Sequence, residues 1–205
     1  MLDDGTLSED LKAAPPMPDG TGNENPKDIG FWSLIAEDYR THGGALFSQG
    51  FWAAFNHRFG NWRMGVRPKM LRIPLSFFYK VWYKLVQIMG GIDIPYTTKL
   101  GRRVKFEHFG GMILVARSIG DDVVVRQNTT FGVRNVKDLN SKPMIGNRVD
   151  IGAGAVLIGH ITIGDDAVIG ANAVVAKDVP SGALAVGVPA QIREKPQQNR
   201  AAKTP

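Results

Sequence analysis

The segment IGNRVD-IGAGAV-LIGHIT-IGDDAV-IG, residues 145–170, decides the fold. Written in sixes, it puts an aliphatic residue first in every unit: Ile145, Ile151, Leu157, Ile163 and Ile169. A small or β-branched residue recurs four places later at Val149, Ala155, Ala167 and Ala173, and the register runs on to Val175. Upstream it reappears at Ile94, Leu100 and Phe106, then at Ile119, Val125 and Phe131. A period of six with a glycine-rich second position is the hexapeptide repeat of a parallel β-helix. Each unit supplies one short strand and a corner, and three units make a triangular turn. The expected fold is mainly β, a parallel β-helix preceded by a small α-helical segment. It accounts for the 24 glycines of a chain without collagen periodicity.

The register breaks twice. One extra residue enters between Phe106 and Ile119, around His108-Phe109-Gly110-Gly111, and two enter between Phe131 and Ile145, in the polar loop 134–142. Solenoids confine irregularities to loops on one face, and such loops carry function. Pro189, in Val186-Gly187-Val188-Pro189-Ala190, ends the coil.

Outside the repeat the chain divides by composition. Residues 1–30 are acidic and proline-rich with few large apolar side chains, as expected of a disordered tail; a polar tail at 194–205 is its counterpart. From Phe51 to Gly90 the order reverses, with seven lysines and arginines, no acid, and ten of the eighteen aromatic residues. Helical spacing there predicts helices near 31–40, 46–60 and 74–89, giving a basic aromatic helical segment at 31–90 and a β-helix at 91–193. Lys80 and Lys84 interrupt the last apolar stretch and argue against a membrane span. Two readings of that helix remain: packing on the solenoid, or peripheral contact with an anionic membrane, with Phe78, Trp82 and Tyr83 entering the interface. The 205 residues include no cysteine, which excludes disulfides, thiolate metal sites and a cysteine nucleophile. A net charge of +6 favours anionic partners, but no reading-helix motif points to nucleic acid. No secretory signal pattern opens the chain, so a cytoplasmic location is expected, with the inner membrane face as an option.

Gly91-Ile92-Asp93-Ile94, Phe106-Glu107-His108, Thr130-Phe131-Gly132, Ile151-Gly152-Ala153-Gly154-Ala155 and Gly187-Val188-Pro189-Ala190 together resemble the serine acetyltransferase family and its sugar-acetylating relatives. Among these, the small exopolysaccharide acetyltransferases, such as those of colanic acid clusters, look most alike, because they share a short aromatic helical part. The resemblance implies a left-handed parallel β-helix and a homotrimer that transfers acetyl from acetyl-CoA to a hydroxyl; with so few histidines in the repeat, no metal is expected. It implies His108 as general base and Asp93 as its orienting carboxylate, with Glu107 and Lys142 near the acceptor. For the coenzyme it implies a groove between subunits near Gly132, Gly154, Ala155 and Ala173, with Lys177 and Arg193 for the phosphates. A carboxylate on one imidazole nitrogen would fix the tautomer and leave the other nitrogen to take the acceptor proton. Serine acetyltransferases place an arginine and a histidine before the proline that closes the polar loop, where this chain has Ser141-Lys142-Pro143. The bidentate clamp for an amino-acid carboxylate is therefore missing. A sugar hydroxyl on a small or lipid-linked polysaccharide precursor is the expected acceptor, with serine as the alternative and an inactive scaffold as the non-enzyme reading. His160, the other histidine of the repeat, makes a rival base; with His108 it is too few for a three-histidine metal site.

Overall fold

In the computed structural model, which describes residues 20–135 and 138–194, the aliphatic residues of the hexads stack into one continuous core. Among the described residues fifteen strands, β1–β15 in chain order, form three faces. The first face stacks β1 (Ile92–Asp93), β4 (Met112–Leu114), β7 (Thr130–Gly132), β10 (Val156–Ile158) and β13 (Val174–Val175). The second stacks β2 (Lys99–Leu100), β5 (Ser118–Ile119), β8 (Met144–Ile145) and β11 (Thr162–Ile163). The third holds β3 (Lys105–Glu107), β6 (Val124–Arg126), β9 (Asp150–Ile151), β12 (Val168–Ile169) and β14 (Ala183–Val186), edged by antiparallel β15 (Gln191–Glu194). All other pairings are parallel, as a β-helix requires: Ile151 lies beside Ile169 and Leu157 beside Val175. Leu114, Val125, Phe131, Ile151, Leu157 and Ile163 are fully buried.

Most glycines of the Ile-Gly pairs serve close approach between coils. A Cβ on Gly120 would sit 2.5 Å from the Gly146 carbonyl oxygen, and one on Gly152 would sit 2.5 Å from the Ala171 nitrogen. Left-handed backbone falls elsewhere, on Arg103, Asp122, Arg148 and Asp166 at successive levels of one corner. Their side chains pair up the stack, Arg103 with Asp122 and Arg148 with Asp166. The second register break is larger than a count in sixes suggests. Phe131 and Ile145 lie on neighbouring faces, so the polar loop is a corner enlarged by eight residues rather than two.

Helix α1 (Phe31–Thr41), helix α2 (Gln49–Trp62) and helix α3 (Lys69–Gly90) precede the solenoid. Helix α3 starts five residues earlier than expected and runs through Pro74, its sixth residue, where the ring has no N–H to offer the Met70 carbonyl. Residues 20–30 correct the expectation of a free tail up to Gly30. Asn25 Nδ2 donates to the Arg58 carbonyl at 2.9 Å, the Tyr96 hydroxyl to the Gly20 carbonyl at 3.3 Å, and Arg102 to Asp28 at 2.6 Å. Polar contacts hold this segment where apolar burial could not. The remaining tail expectations, 1–19 and 195–205, lie outside the described residues.

The helices are joined to the first coil through a fully buried guanidinium. Arg58 Nε donates to Asp38 Oδ2 at 2.9 Å, and its terminal nitrogens donate to the carbonyls of Leu100 and Gly101. His57 Nε2 lies 2.8 Å from the Thr98 carbonyl. The buried His42 accepts from the Phe106 N–H at Nε2, which makes Nδ1 the protonated nitrogen that donates to the Asp38 carbonyl. Burial pulls both imidazoles below their ordinary range, and with the adjacent Arg58 charge it takes His57 down to about 3. These two histidines are structural.

Two outcomes follow from this joint. Arg58→Ala leaves Asp38 buried without its partner and should cost about 3–5 kcal/mol in urea denaturation; a loss below about 1 kcal/mol would show the joint to be dispensable. Because the unfolded chain protonates these histidines near 6.5 and the folded chain resists it, stability should be level above that pH. It should fall as pH drops from 6.5 toward 3, by roughly 1.4 kcal/mol per pH unit for His57. Thermal unfolding between pH 7.5 and 4.5 reads this slope. His57→Gln should remove its share, about 1.4 kcal/mol per pH unit, and an unchanged slope would clear His57.

Candidate active site

Asp93 ends β1, at the start of the first face and directly after the helical segment. The chain enters through Gly91, which is left-handed at φ 59° and so close to the 108–111 corner that a Cβ there would lie 2.8 Å from Gly110 Cα. Gly110 N–H donates to the Gly90 carbonyl and Met112 N–H to the Gly91 carbonyl, both at 2.9 Å. These bonds bring the His108 corner beside the entry to β1, and Asp93 pairs in register with Ile113. His108 is itself left-handed at φ 62° and exposed. Between Asp93 and the following coil lies a shallow hollow of about 240 Å³ bordered by Gln87, Gly111 and Ile113.

The expected carboxylate–imidazole hydrogen bond is not formed. The hydroxyl of Tyr83, on α3, donates to Asp93 Oδ1 instead. Burial and then the bond to Asp93 push the Tyr83 phenol far above its ordinary range, so it stays a donor. Among the described residues the His108 ring has no hydrogen-bond partner, which leaves both nitrogens open. Tyr83 is the site residue that sequence reasoning missed. Of the two readings of this helix, the membrane one places Tyr83 in an outer interface with Trp82 and the packing one turns the helix to the solenoid; both side chains point inward, Trp82 against the core. The signal available was its spacing on α3, four residues after the buried Tyr79 and three before the buried Val86.

The remaining candidates divide. Glu107 is held at both carboxylate oxygens, by Lys105 Nζ at 2.7 Å and Arg126 Nε at 3.4 Å; the Lys105 bond chiefly keeps its acid below the usual range. It faces outward on the third face and is already occupied. Lys142 and Ser141 are half-buried at the end of the enlarged corner, which lies between the first and second faces. His160 occupies that same corner one coil on, where Gly159 N–H donates to the Gly132 carbonyl. His108 and His160 therefore stand at different corners of one chain.

Gly132 faces open space, with nothing within 4 Å of an added Cβ. Gly154 is a corner residue, left-handed at φ 74° and stacked on Asn172. The Ala155 and Ala173 methyl groups are fully buried inside the coil, so at those levels it is main chain that faces outward. Lys177 and Arg193 are exposed, but Lys177 follows β13 on the first face while Arg193 lies on β15 of the third, and one chain does not bring them together. No group of three metal-ligating side chains occurs among the described residues.

Comparison with known proteins finds relatives of this fold. The family described as bacterial transferase hexapeptide (six repeats) matches residues 142–177. A serine acetyltransferase of Mycobacterium tuberculosis is 36% identical over 144 residues, 70% of this chain and 60% of that protein. One from Helicobacter pylori is 39% identical over 120 residues, 58% of this chain and 70% of that protein. The solved soybean serine acetyltransferase superposes with a TM-score of 0.66 at 29% identity, covering 80% of this chain and 69% of that one. The chain thus spans only 55–60% of the length of several of the curated relatives it matches. Kinship with exopolysaccharide enzymes finds no support among these relatives. A three-faced hexapeptide solenoid, the Asp93 and His108 motifs on neighbouring coils, and identity across most of the Helicobacter relative converge: the chain belongs to the serine acetyltransferase family of hexapeptide-repeat transferases.

Proposed function

We propose that the protein is an acetyl-CoA-dependent O-acetyltransferase in which His108 is the general base. The observation that carries this reading is the exposed His108 imidazole, free of hydrogen-bond partners among the described residues and one coil from Asp93. A neutral imidazole takes the proton from the acceptor hydroxyl as its oxygen attacks the thioester carbonyl carbon. When the carbon–sulfur bond breaks, the imidazolium returns that proton to the departing thiolate. Asp93, steadied by Tyr83, lowers the energy of the imidazolium between those events. No cysteine is present to form an acyl-enzyme, so direct transfer between two bound substrates fits the chain. The open face at Gly132 suits a coenzyme arm, with Lys177 and Arg193 as exposed cations for its phosphates. Because these two lie on different faces, a homotrimer with each groove between subunits is part of the proposal.

Serine is the acceptor that the names of the relatives support, and one soybean structure is titled as a complex with serine. A second reading, a sugar hydroxyl, rests on the Ser141-Lys142 pair, which offers a point charge and no planar fork for a carboxylate.

His108→Ala should lower kcat by about 10²–10⁴-fold while acetyl-CoA binding, read by calorimetry, stays intact. Asp93→Asn should cost less than His108→Ala. If His160→Ala silences the enzyme and His108→Ala leaves its rate within a few-fold, the base is misassigned. For the acceptor, kcat/KM is compared across serine and a panel of sugars. Under the serine reading serine leads, and Lys142→Ala raises its KM by about tenfold as a charged contact is lost. Under the sugar reading serine trails by roughly one to two decades, and Lys142→Ala leaves its KM unmoved.

A further inference from the structure

Helix α3 shows an inverted pattern. Its inner side already packs through Tyr79, Val86 and Gly90, yet its outer side is apolar as well. Ile73 is 69% exposed, Phe77 71% and Ile88 79%, with Met70, Val81 and Leu85 along the same line. A soluble helix keeps that side polar, and so extended an apolar strip marks a contact surface.

Charge identifies what it contacts. Between Asp38 and Asp93 the chain has eight lysines and arginines and no acid. On the solenoid, Arg102, Arg103, Arg126 and Arg148 are all paired with carboxylates. On α3 the cations are unspent. Among the described residues Lys69, Arg72 and Lys80 have no acidic partner, and Lys84 meets only the Gln87 side-chain oxygen at 2.8 Å. By helical position Lys69, Lys80 and Lys84 run along one flank of the apolar strip. Lys69, Arg72 and Lys80 also border a hollow floored by Ile73 and Phe77. Apolar residues that enter the acyl boundary beside a row of cations at headgroup level are the two requirements of an interfacial helix. No described helix is long and apolar enough to cross a membrane, so the contact is lateral. In an antiparallel twofold pairing of two copies through the strip, the lysine flanks would lie against each other.

We propose that α3 docks the protein on an anionic lipid bilayer through this strip, with Lys69, Arg72, Lys80 and Lys84 taking the lipid phosphates. The proposal is independent of which acceptor is acetylated.

The test is flotation of the full chain with vesicles of phosphatidylcholine alone or mixed with phosphatidylglycerol. The protein should float with the anionic vesicles, stay behind with the neutral ones, and be released as sodium chloride rises. Lys80→Glu with Lys84→Glu changes exposed side chains only and should weaken partitioning by about tenfold or more. Phe77→Ser with Ile88→Ser should weaken it too, with the protein's own mass in light scattering unchanged. Absence of flotation, equal flotation with neutral vesicles, or full retention of the lysine variant would overturn the proposal. So would a fall in mass on removing Phe77 and Ile88, because a second copy of the chain would then be the occupant.

Discussion

The Arg58 guanidinium is the interaction on which the arrangement of this molecule turns. A fully buried cation is tolerable only with its charge and its donors matched, and Arg58 finds Asp38 on α1 and two carbonyls of the first coil. That requirement ties three separately coded elements, α1, α2 and the entry to the solenoid, to one geometry. The rest of the joint is arranged around it, with His57 on Thr98 and Asn61 on Tyr96. A β-helix could form without helices in front of it; Tyr83 reaches Asp93 from α3, which packs against the α2 that carries Arg58.

The solenoid was readable because its core imposes one demand at every sixth residue, and that demand survives in the sequence. What counting in sixes could not resolve was the size of an insertion, since adding two residues or eight leaves the same phase. Only pairing Phe131 with Leu157 and Ile145 with Ile163 fixes which faces flank the loop. The glycines misled in a related way. Read as corners, the Ile-Gly glycines are mostly places where the next coil leaves no room for a Cβ, whereas Arg103, Asp122 and Arg148 take the left-handed turns. Side-chain pairing up the stack offsets the local cost, which no single-position propensity reveals.

The candidate site was legible where it rests on motif residues and illegible where it rests on packing. Asp93 and His108 stand out in the sequence, and the chain folds them onto neighbouring coils. Tyr83 comes from a helix whose inward side is set by how α3 is laid against α2 and β1. The methyl groups of Ala155 and Ala173 belong to the coil's own core, so what those levels offer outward is main chain. Residues 20–30 show the converse: polar composition reads as disorder, yet Asn25 and Asp28 find fixed partners on elements far along the chain.

Strand β15 has a consequence at the level of assembly. Parallel coils stack by repetition, and the last one presents the same backbone donors and acceptors that its predecessor used, an invitation to unlimited end-on growth. By reversing direction against β14, the chain spends one face of that terminal edge on itself and leaves outside a short strand bearing Arg193 and Glu194. At the opposite end α2 lies against β1 and β3, where a preceding coil would otherwise sit. A fold whose internal logic is that of a fibre is thereby held to a finite particle, with its length set by the chain.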